Sequence, residues 1–319
     1  KAQQLNEPVI ICCTSGSASL NYAPAISEAY YQHIPLLVIT SDRPAKWLNN
    51  GEGQMIDQVN VFQNYIHHSY SLLSDRSDEN TPLLETEINS ALNNVKAIAN
   101  NTVHLNIPLD EPLYNTTSIN DAYIPKYSPD SRERLTLTDT EFNVISNKWT
   151  KANRILILCG VLEKSTELNN LLKQINENCA VTILTESTAN ISDLKFISSI
   201  DRTLTSINEN ELTNYAPDLL ITIGGAIISK KIKSFLRNNK PQEHWQISLE
   251  SEPTDTFASL TKKLDISPVS FFSKIQLLEP NFESNFGNQW LQQSFLAQQR
   301  HEEFIIQAKW SDLNATSII

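Results

Sequence analysis

Glycine is scarce in this sequence: the chain of 319 residues contains 7, whereas about 7% of residues are glycine in average proteins. Five of the seven follow strand-like runs directly or shortly, where glycine permits positive φ angles and close approach of a ligand. None of them builds the G-x-G-x-x-G fingerprint of dinucleotide-binding domains, and one strand-following turn reads Gly160-Val-Leu-Glu-Lys. A P-loop and the G-x-S-x-G turn of hydrolases are also lacking. These absences argue against a dinucleotide oxidoreductase, a P-loop enzyme and a serine hydrolase of that type.

Basic residues are outnumbered, since 25 Lys and Arg stand against 36 Asp and Glu and give a formal net charge of −11. This balance argues against general affinity for nucleic acid or anionic membrane surfaces. Small anionic substrates remain compatible with it, because local cations can dominate a binding site. Long apolar runs are lacking as well, so the sequence predicts no membrane span.

Cysteine is rare and does not suggest a metal centre. None of the four cysteines has zinc-ligand spacing. We interpret all four as buried thiols of a cytoplasmic, reducing setting, with the last closing a helix: Cys12, Cys13, Cys159 and Cys179. The pair His67-His68 is interpreted as a surface or loop feature, because adjacent side chains usually point apart.

Apolar runs alternate with helical patterns, which predicts an α/β fold with two doubly wound parallel-sheet domains. The first domain is predicted at 1–118, a polar linker at 119–138, the second domain at 139–280, and a linker helix with the start of a further domain at 281–319. Strands are predicted at 9–14, 35–40, 103–107, 154–159, 181–184, 218–223 and 244–248. Helices are predicted at 24–33, 85–100, 138–149 and 288–307, after Ser165, and on a core face of Ile228, Ile232, Phe235 and Leu236.

Polar residues follow the second predicted strand. Arg43 lies between this strand and Pro44, which restricts the backbone of Arg43. A fixed guanidinium suits bidentate binding of a carboxylate; the alternative is an ion pair with Asp42 or Glu52. Gln54 follows Gly53, whose missing side chain would let a ligand approach.

Lys230 is predicted in the first turn of a helix after Gly224-Gly225. A lysine is unfavourable there on dipole grounds, and helix N-termini attract anions. The position indicates either an anion-binding residue or an ordinary solvated lysine.

Four segments carry a resemblance to a known family: TSGSASLNYAPAISEA at 14–29, PLLVITSDRP at 35–44, GEGQMIDQ at 51–58 and VHLNIPLDEPLY at 103–114. They resemble the SEPHCHC synthases (2-succinyl-5-enolpyruvyl-6-hydroxy-3-cyclohexene-1-carboxylate synthases), the thiamine-diphosphate enzymes of menaquinone biosynthesis. The segment GGAIISKK at 224–231 continues the resemblance into the second domain.

The resemblance implies a transferase or carboligase that decarboxylates 2-oxoglutarate and adds the resulting carbanion to isochorismate. It implies thiamine diphosphate and Mg²⁺ in the intact parent, which is expected to be a homodimer or homotetramer with active sites between subunits. It assigns substrate contacts to Arg43, Gln54 and Lys230, and marks Gly53 as standing where the family usually has Asn. Cofactor contacts are expected at Ser15, Gly16, Ser17 and Asn21.

The resemblance also implies that this chain is an internal piece. The domains at 1–118 and 139–280 would be a partial pyrimidine-binding domain and a Rossmann-like central domain, with a diphosphate-binding domain starting within 281–319. The Glu that activates the cofactor is expected upstream and the metal-binding motif downstream. We therefore expect no catalytic residue, no metal ligand and no bound cofactor in this chain, and no activity of the chain alone. We also expect an exposed edge or altered packing of its first sheet.

Two alternatives remain open at this point. Another thiamine-diphosphate carboligase, of the acetolactate-synthase type, would need a central domain of the flavin- or acyl-CoA-binding kind. A non-catalytic binding or regulatory module is the second alternative.

Overall fold

A computed structural model describes residues 1–5, 7–48, 50–51, 53–74, 80–97, 101–109, 136–249, 253–279 and 281–318. The chain divides into two compact units, Lys1–Glu133 and Arg134–Ile319, here called unit 1 and unit 2. Most of the predicted linker, residues 119–135, and the predicted helix end at 98–100 lie outside the described residues.

Unit 1 is built on a parallel sheet. Its elements are α1 (Ala2–Leu5), β1 (Val9–Cys13), α2 (Ala23–Tyr31), β2 (Leu36–Asp42), β3 (His68–Ser71), α3 (Thr81–Val95) and β4 (Thr102–Pro108), with short 3₁₀ helices at Gly16–Tyr22, Ala45–Trp47 and Gln63–Tyr65. The strand order is β1-β2-β4-β3, and every pair is parallel. The three predicted strands are confirmed; β3 was not predicted, because its sequence HSYS is short and polar.

Helices cover both faces of this sheet, since side chains alternate along each strand. Leu36 and Val38 of β2 pack with Ile26 of α2 on one face. Leu37 lies on the other face, with Ala91 and Val95 of α3. The predicted doubly wound arrangement is therefore present in unit 1.

β1 is an edge strand of the sheet within the described residues, in line with the expected exposed edge. Its alternate side chains point outward: Ile10 is 54% exposed, and Cys12 is exposed. The prediction of four buried thiols is confirmed for Cys159 and wrong for Cys12, which is exposed, and for Cys13 and Cys179, which are half-buried. Cys12 lies on the face of β1 that the described residues leave exposed.

Unit 2 contains a second parallel sheet. Its elements are α4 (Asp139–Lys151), β5 (Ile155–Cys159), α5 (Thr166–Ile175), β6 (Val181–Thr185), α6 (Ile200–Thr205), β7 (Leu219–Ile223), α7 (Lys230–Asn238), β8 (Glu243–Ile247), β9 (Lys262–Leu264), α8 (Pro268–Ile275), α9 (Phe286–Gln307) and α10 (Asp312–Ile318). The strand order is β6-β5-β7-β8-β9, with all pairs parallel. In chain order this is 2-1-3-4-5, the flavodoxin-like arrangement of doubly wound folds.

The interior strand β5 shows why this unit folds. All five of its residues are buried. Ile155 and Ile157 face one core, with Ile145 of α4, whereas Leu156 and Leu158 face the other, with Trp290 of α9. A strand that is apolar on both faces requires helices on both sides of the sheet.

Local sequence signals set several helix ends. Thr138 and Glu141 form the predicted capping box of α4, and Ser165 caps α5. Two predictions at helix ends are wrong. α5 ends at Ile175, so Cys179 lies beyond the helix. Ile228 precedes α7 and is 61% exposed, so it is not part of the helix core face.

The model has no helix long and apolar enough to cross a membrane within its described residues.

Candidate functional site

The carboxyl ends of β1, β2 and β4 meet at one edge of the unit 1 sheet, because parallel strands run in the same direction. In the ladders Cys13 pairs with Thr40, and Thr40 pairs with Asn106. The turn that starts at Thr14 and the loop that starts at Arg43 leave the sheet at this edge. This is where ligands bind in open parallel sheets.

The Gly16 turn and the loop that carries Gln54 contact each other directly. The backbone N–H of Ser17 donates to the carbonyl oxygen of Gln54 at 3.0 Å. Gly16 has a φ of +85°, and a Cβ built on it would lie 2.2 Å from that oxygen, so only glycine fits. Gln54 itself has a φ of +61°, an uncommon conformation for a residue with a side chain and one that clusters at functional sites. The structure thus brings a predicted cofactor turn and a predicted substrate residue together.

Gln58 forms a second link between the same turn and the sheet. Its side chain is 1% exposed. Its Oε1 accepts a hydrogen bond from the backbone N–H of Gly16, and its Nε2 donates to the carbonyl of Ser41 at 2.7 Å and to Asn106 Oδ1 at 3.2 Å. Sequence reasoning missed this residue, although it ends the segment GEGQMIDQ, because glutamine is mostly a surface residue and only tertiary contacts reveal its burial.

Asp42 fixes the backbone at Arg43. Asp42 is 5% exposed; its Oδ1 accepts from the backbone N–H of Arg43 at 2.8 Å, and its Oδ2 accepts from Asn106 Nδ2 at 2.7 Å. The Asp42 carboxylate therefore holds the Arg43 backbone and the Asn106 amide. The other candidate partner of Arg43, Glu52, lies outside the described residues, and the choice between ion pair and substrate contact stays a prediction.

Gly53 lies at an exposed point of the loop. A Cβ built on Gly53 meets no atom of the described residues within 4 Å. A Cβ would therefore fit at this position, and the glycine leaves space beside Gln54.

His104 anchors the sheet below this edge. It is fully buried; its Nε2 lies 2.9 Å from Thr40 Oγ1 and its Nδ1 3.3 Å from Ser69 Oγ. The Thr40 hydroxyl donates to Asn106 Oδ1 at 2.7 Å, so the Thr40 oxygen accepts from the N–H of His104. Burial lowers the pKa of His104 to about 4, which keeps the ring neutral and consistent with this pattern.

The predicted cofactor residues offer hydroxyls rather than free amides. The N–H groups of Gly16 and Ser17 are both bound within the chain. Ser15 is half-buried, Ser17 is exposed, and Asn21 is exposed with its Nδ2 on the carbonyl of Ala18 at 3.3 Å. Such a turn fits the polar edge of an organic ring better than a diphosphate, which needs several free donors. The described residues also contain no group of three or more His, Cys, Asp or Glu side chains that could hold a metal ion.

The pair His67-His68 was predicted to be a surface or loop feature; His67 lies in the bend before β3, as predicted, whereas His68 does not. His68 starts β3, and both rings are half-buried. His67 Nδ1 accepts the backbone N–H of Thr102 at 3.0 Å, and its ring lies 4.5 Å from that of Tyr30. Burial, followed by the charges of His33 and His68, lowers the pKa of His67 to about 4.

In unit 2, Lys230 is the first residue of α7 and is exposed. The anion at this helix N-terminus is the carboxylate of Glu186. It accepts from the N–H of Ile228 at 2.8 and 2.9 Å and from the N–H of Ser229 at 2.7 Å. The helix therefore binds an acid of its own chain, and the Lys230 side chain is left on the surface.

The crevice between β5 and β7, where ligands bind in flavodoxin-like sheets, is filled by backbone. Gly225 N–H donates to the carbonyl of Val161 at 2.8 Å. A Cβ on Gly160 would lie 2.3 Å from the Gly225 oxygen. The sequence lacks the phosphate-binding fingerprint at this turn, and in the structure the corresponding crevice is closed.

Comparison with known proteins identifies both parts of the chain. The model "Thiamine pyrophosphate enzyme, N-terminal TPP binding domain" matches residues 2–61, which include the Gly16 turn, Arg43, Gln54 and Gln58. The model "Middle domain of thiamine pyrophosphate" matches residues 134–319. Thiamine pyrophosphate is another name for thiamine diphosphate.

Similar curated proteins carry one common name, 2-succinyl-5-enolpyruvyl-6-hydroxy-3-cyclohexene-1-carboxylate synthase. The protein of Flavobacterium psychrophilum is 36% identical over 100% of this chain and 56% of its own length. That of Christiangramia forsetii is 39% identical over 98% of this chain and 57% of its length, and that of Desulfotalea psychrophila is 34% identical over 96% and 57%. The chain spans a little over half the length of these relatives.

The middle-domain model alone covers more than half of the 319 residues. The chain belongs to the family of thiamine pyrophosphate enzymes.

Proposed function

We propose that the chain is part of a SEPHCHC synthase of menaquinone biosynthesis. The complete enzyme would decarboxylate 2-oxoglutarate and add the resulting four-carbon carbanion to isochorismate. The observation that carries this proposal is the hydrogen bond from Ser17 N–H to the Gln54 carbonyl at 3.0 Å, which joins the expected cofactor side and the expected substrate side of the site. The common name of the relatives, which align over nearly the whole chain, supports the same reaction.

The residues take defined roles in this reaction. Arg43, whose backbone N–H is held by Asp42, binds a substrate carboxylate, because a guanidinium can donate two parallel hydrogen bonds to that group. Gln54 offers its amide to the substrate from a constrained backbone, and Gly53 leaves room beside it. Lys230 is a further substrate contact on the resemblance of the segment GGAIISKK alone.

The cofactor side of the site uses the turn after β1. Four residues of this turn would contact thiamine diphosphate, as the resemblance implies: Ser15, Gly16, Ser17 and Asn21. Bound thiamine diphosphate supplies the nucleophilic carbon and the electron sink that the decarboxylation needs. The resemblance implies that other parts of the complete enzyme would hold its Mg²⁺ and diphosphate.

The acetolactate-synthase type is disfavoured by unit 2. A flavin-binding central domain needs space for a dinucleotide between its strand ends and helix N-termini. Here backbone of the β5 and β7 turns fills that space, and Glu186 occupies the N-terminus of α7. A non-catalytic module is disfavoured by the fixed Arg43 and Gln54 at the sheet edge.

The complete enzyme is proposed to be a cytoplasmic homodimer or homotetramer with active sites between subunits. The four cysteines are free thiols, which fits a reducing compartment. The isolated chain is proposed to bind no cofactor and to have no activity alone.

The test uses the full-length protein that contains this chain, with thiamine diphosphate and Mg²⁺. We expect carbon dioxide release from 2-oxoglutarate together with a product whose mass equals isochorismate plus the four-carbon unit. Pyruvate in place of 2-oxoglutarate is the matched control. Preference for pyruvate, or product formation without isochorismate, would contradict the proposal and favour another carboligase.

Replacing Arg43 by alanine in the full-length protein tests the site. We expect kcat/KM for isochorismate to fall about 10- to 100-fold, since a charged hydrogen bond is worth about 1.5–3 kcal/mol. Lys46→Ala, which removes an exposed cation nearby, is the control and should stay within about twofold of wild type. Equal kinetics of Arg43→Ala and wild type would assign Arg43 to an ion pair instead.

A further inference from the structure

A buried hydrogen-bond network lies directly beneath the proposed site and connects the ends of two strands to the Gly16 turn. Its three central members are Asp42, Gln58 and Asn106, which are 5%, 1% and 1% exposed. Buried polar side chains of this kind must be satisfied, and a fully satisfied network fixes one local geometry.

Every group in the network has a complementary partner. Asn106 Oδ1 accepts from Thr40 Oγ1 at 2.7 Å and from Gln58 Nε2 at 3.2 Å. Asn106 Nδ2 donates to Asp42 Oδ2 at 2.7 Å. Gln58 therefore has its Nε2 on the acceptors at the strand ends and its Oε1 on the N–H of Gly16. Reversing the Gln58 amide would place oxygen against oxygen and N–H against N–H, so its orientation is determined by the network.

The position of Gln58 distinguishes it from a residue that merely fills the core. The backbone ladder between β1 and β2 ends at the pair Cys13 and Thr40, before the Gly16 turn begins. Beyond that point the turn is held by the Gln54 carbonyl and by the Gln58 side chain. Gln58 also holds the Ser41 carbonyl at 2.7 Å, two residues before Arg43.

We propose that Gln58, oriented by Asn106, is a positioning residue that sets the distance between the Gly16 turn and the Arg43 strand end. This inference rests on the proposed function, in which the turn faces the cofactor and the strand end faces the substrate. A displacement of about 1 Å between reacting groups costs roughly 100-fold in rate. The network thus affects the rate of the reaction by setting this distance, without contacting the reacting atoms.

The first experiment measures, in this chain, how firmly the Gln58 side chain holds the backbone N–H of Gly16. We call this hydrogen bond the anchor. Gln58→Met keeps the side-chain length but removes the acceptor for Gly16 N–H. We expect hydrogen exchange of the Gly16 amide to be at least about tenfold faster than in wild type. Gln63→Met, on the exposed 3₁₀ helix Gln63–Tyr65, is the matched control and should leave this exchange unchanged. Equal exchange in Gln58→Met and wild type overturns the anchor, whatever reaction the protein catalyses.

The second experiment measures catalysis in the full-length protein, with the folded fraction checked by circular dichroism. We expect Gln58→Met to lower kcat at least about tenfold while the KM values for both substrates change less than about threefold. A structural role alone would reduce the amount of folded enzyme but not kcat per folded molecule. An unchanged kcat alongside accelerated Gly16 exchange overturns the positioning role.

A third variant, Gln58→Glu, provides a pH signature. The ionised carboxylate has no donor for the Ser41 carbonyl or Asn106 Oδ1, whereas the protonated acid can donate to one of them. Burial favours the protonated form, so kcat relative to wild type should rise as the pH falls. If the ratio of the Gln58→Glu kcat to the wild-type kcat did not change with pH, the role of this donor would be contradicted. If the wild-type enzyme showed no activity with 2-oxoglutarate and isochorismate, the proposed function would be rejected. Hydrogen exchange of the Gly16 amide would then test by itself whether Gln58 holds the Gly16 turn.

Discussion

The two sheets have related topologies, yet their carboxyl edges differ. In unit 1 the loops are held by buried side chains, and Gln58 keeps the Gly16 turn beside the Arg43 strand end. In unit 2 the loops contact each other through backbone, with Gly225 N–H on the Val161 carbonyl. In both units the doubly wound fold provides an edge at which a ligand could bind. The residues in the turns decide whether that edge is open to a ligand or filled by backbone.

The acid at each edge illustrates the same difference. Asp42 accepts from Arg43 N–H and Asn106, and it leaves the Arg43 side chain at the start of a loop. Glu186 accepts from two N–H groups before α7 and so occupies the place of an external anion. One carboxylate holds the backbone at the start of a loop, and the other takes the position at a helix N-terminus that an external anion would occupy.

The largest effect is expected from the buried network of unit 1. Asn106→Asp places a second carboxylate against Asp42 and should cost about 3–5 kcal/mol of unfolding free energy. The double variant Asp42→Asn with Asn106→Asp restores one donor facing one acceptor and should recover at least half of that loss. Urea unfolding of the chain measures both, with Asn64→Asp on the exposed 3₁₀ helix as control. A double variant no more stable than Asn106→Asp would contradict the assigned hydrogen-bond directions.

The next effect concerns two buried histidines, one in each unit. His104 lies between Thr40 and Ser69 hydroxyls, and His244 lies between Thr222 and Ser259 hydroxyls, at 2.9–3.3 Å. Burial lowers the pKa of each from 6.5 to about 4.

The sign of the resulting pH dependence follows from these pKa values. Between pH 6.5 and 4 the unfolded chain binds protons that the folded rings do not, so stability falls as the pH falls through this window. We expect a loss of about 2 kcal/mol for each histidine between pH 7 and 4.5. His104→Asn and His244→Asn should each flatten the profile measured by urea unfolding. If neither variant changed the slope, the rings would not be held neutral.

Glycine-to-alanine substitutions compare the space around the turns at the carboxyl edges of the two sheets. Gly160→Ala places a Cβ 2.3 Å from the Gly225 oxygen and should cost about 1–3 kcal/mol as an overpacked site. Gly53→Ala meets open space among the described residues and should stay within about 0.5 kcal/mol of wild type. Thermal unfolding of the two variants checks the difference, and similar melting temperatures would argue against a closed crevice in unit 2.

The smallest effect is expected at the N-terminus of α7. Glu186→Ala frees the N–H groups of Ile228 and Ser229 and should cost about 1–2 kcal/mol, comparable to loss of a helix cap. Inorganic phosphate should then raise the melting temperature of this variant more than that of wild type, since a free helix N-terminus attracts anions. Glu163→Ala, an exposed acid nearby in sequence, is the control. Equal responses to phosphate would show that Glu186 does not act as an internal anion.

Several features were predictable because they depend on neighbouring residues alone. The apolar runs that became β1, β2, β4, β5, β6, β7 and β8, and the capping box at Thr138, are local patterns. β3 and β9 were missed, because a short strand of polar or charged residues forms only where a neighbouring strand already provides a ladder. Ile228 was wrongly predicted to lie on the core face of α7. The helical spacing of the apolar residues extends back to Ile228, although α7 begins at Lys230.

Local patterns were enough to predict the alternation of strands and helices and the lack of a phosphate-binding loop, and the resemblance pointed to Arg43, Gln54 and Lys230. The burial of Gln58, the contact between Gln54 and the Gly16 turn, and the position of Glu186 at the start of α7 became visible in the folded chain alone. The two groups of features differ in the range of the interactions behind them. Strand and helix patterns arise within a few residues, whereas these contacts join groups 37 to 43 positions apart, and their partners become neighbours only after the sheets have formed.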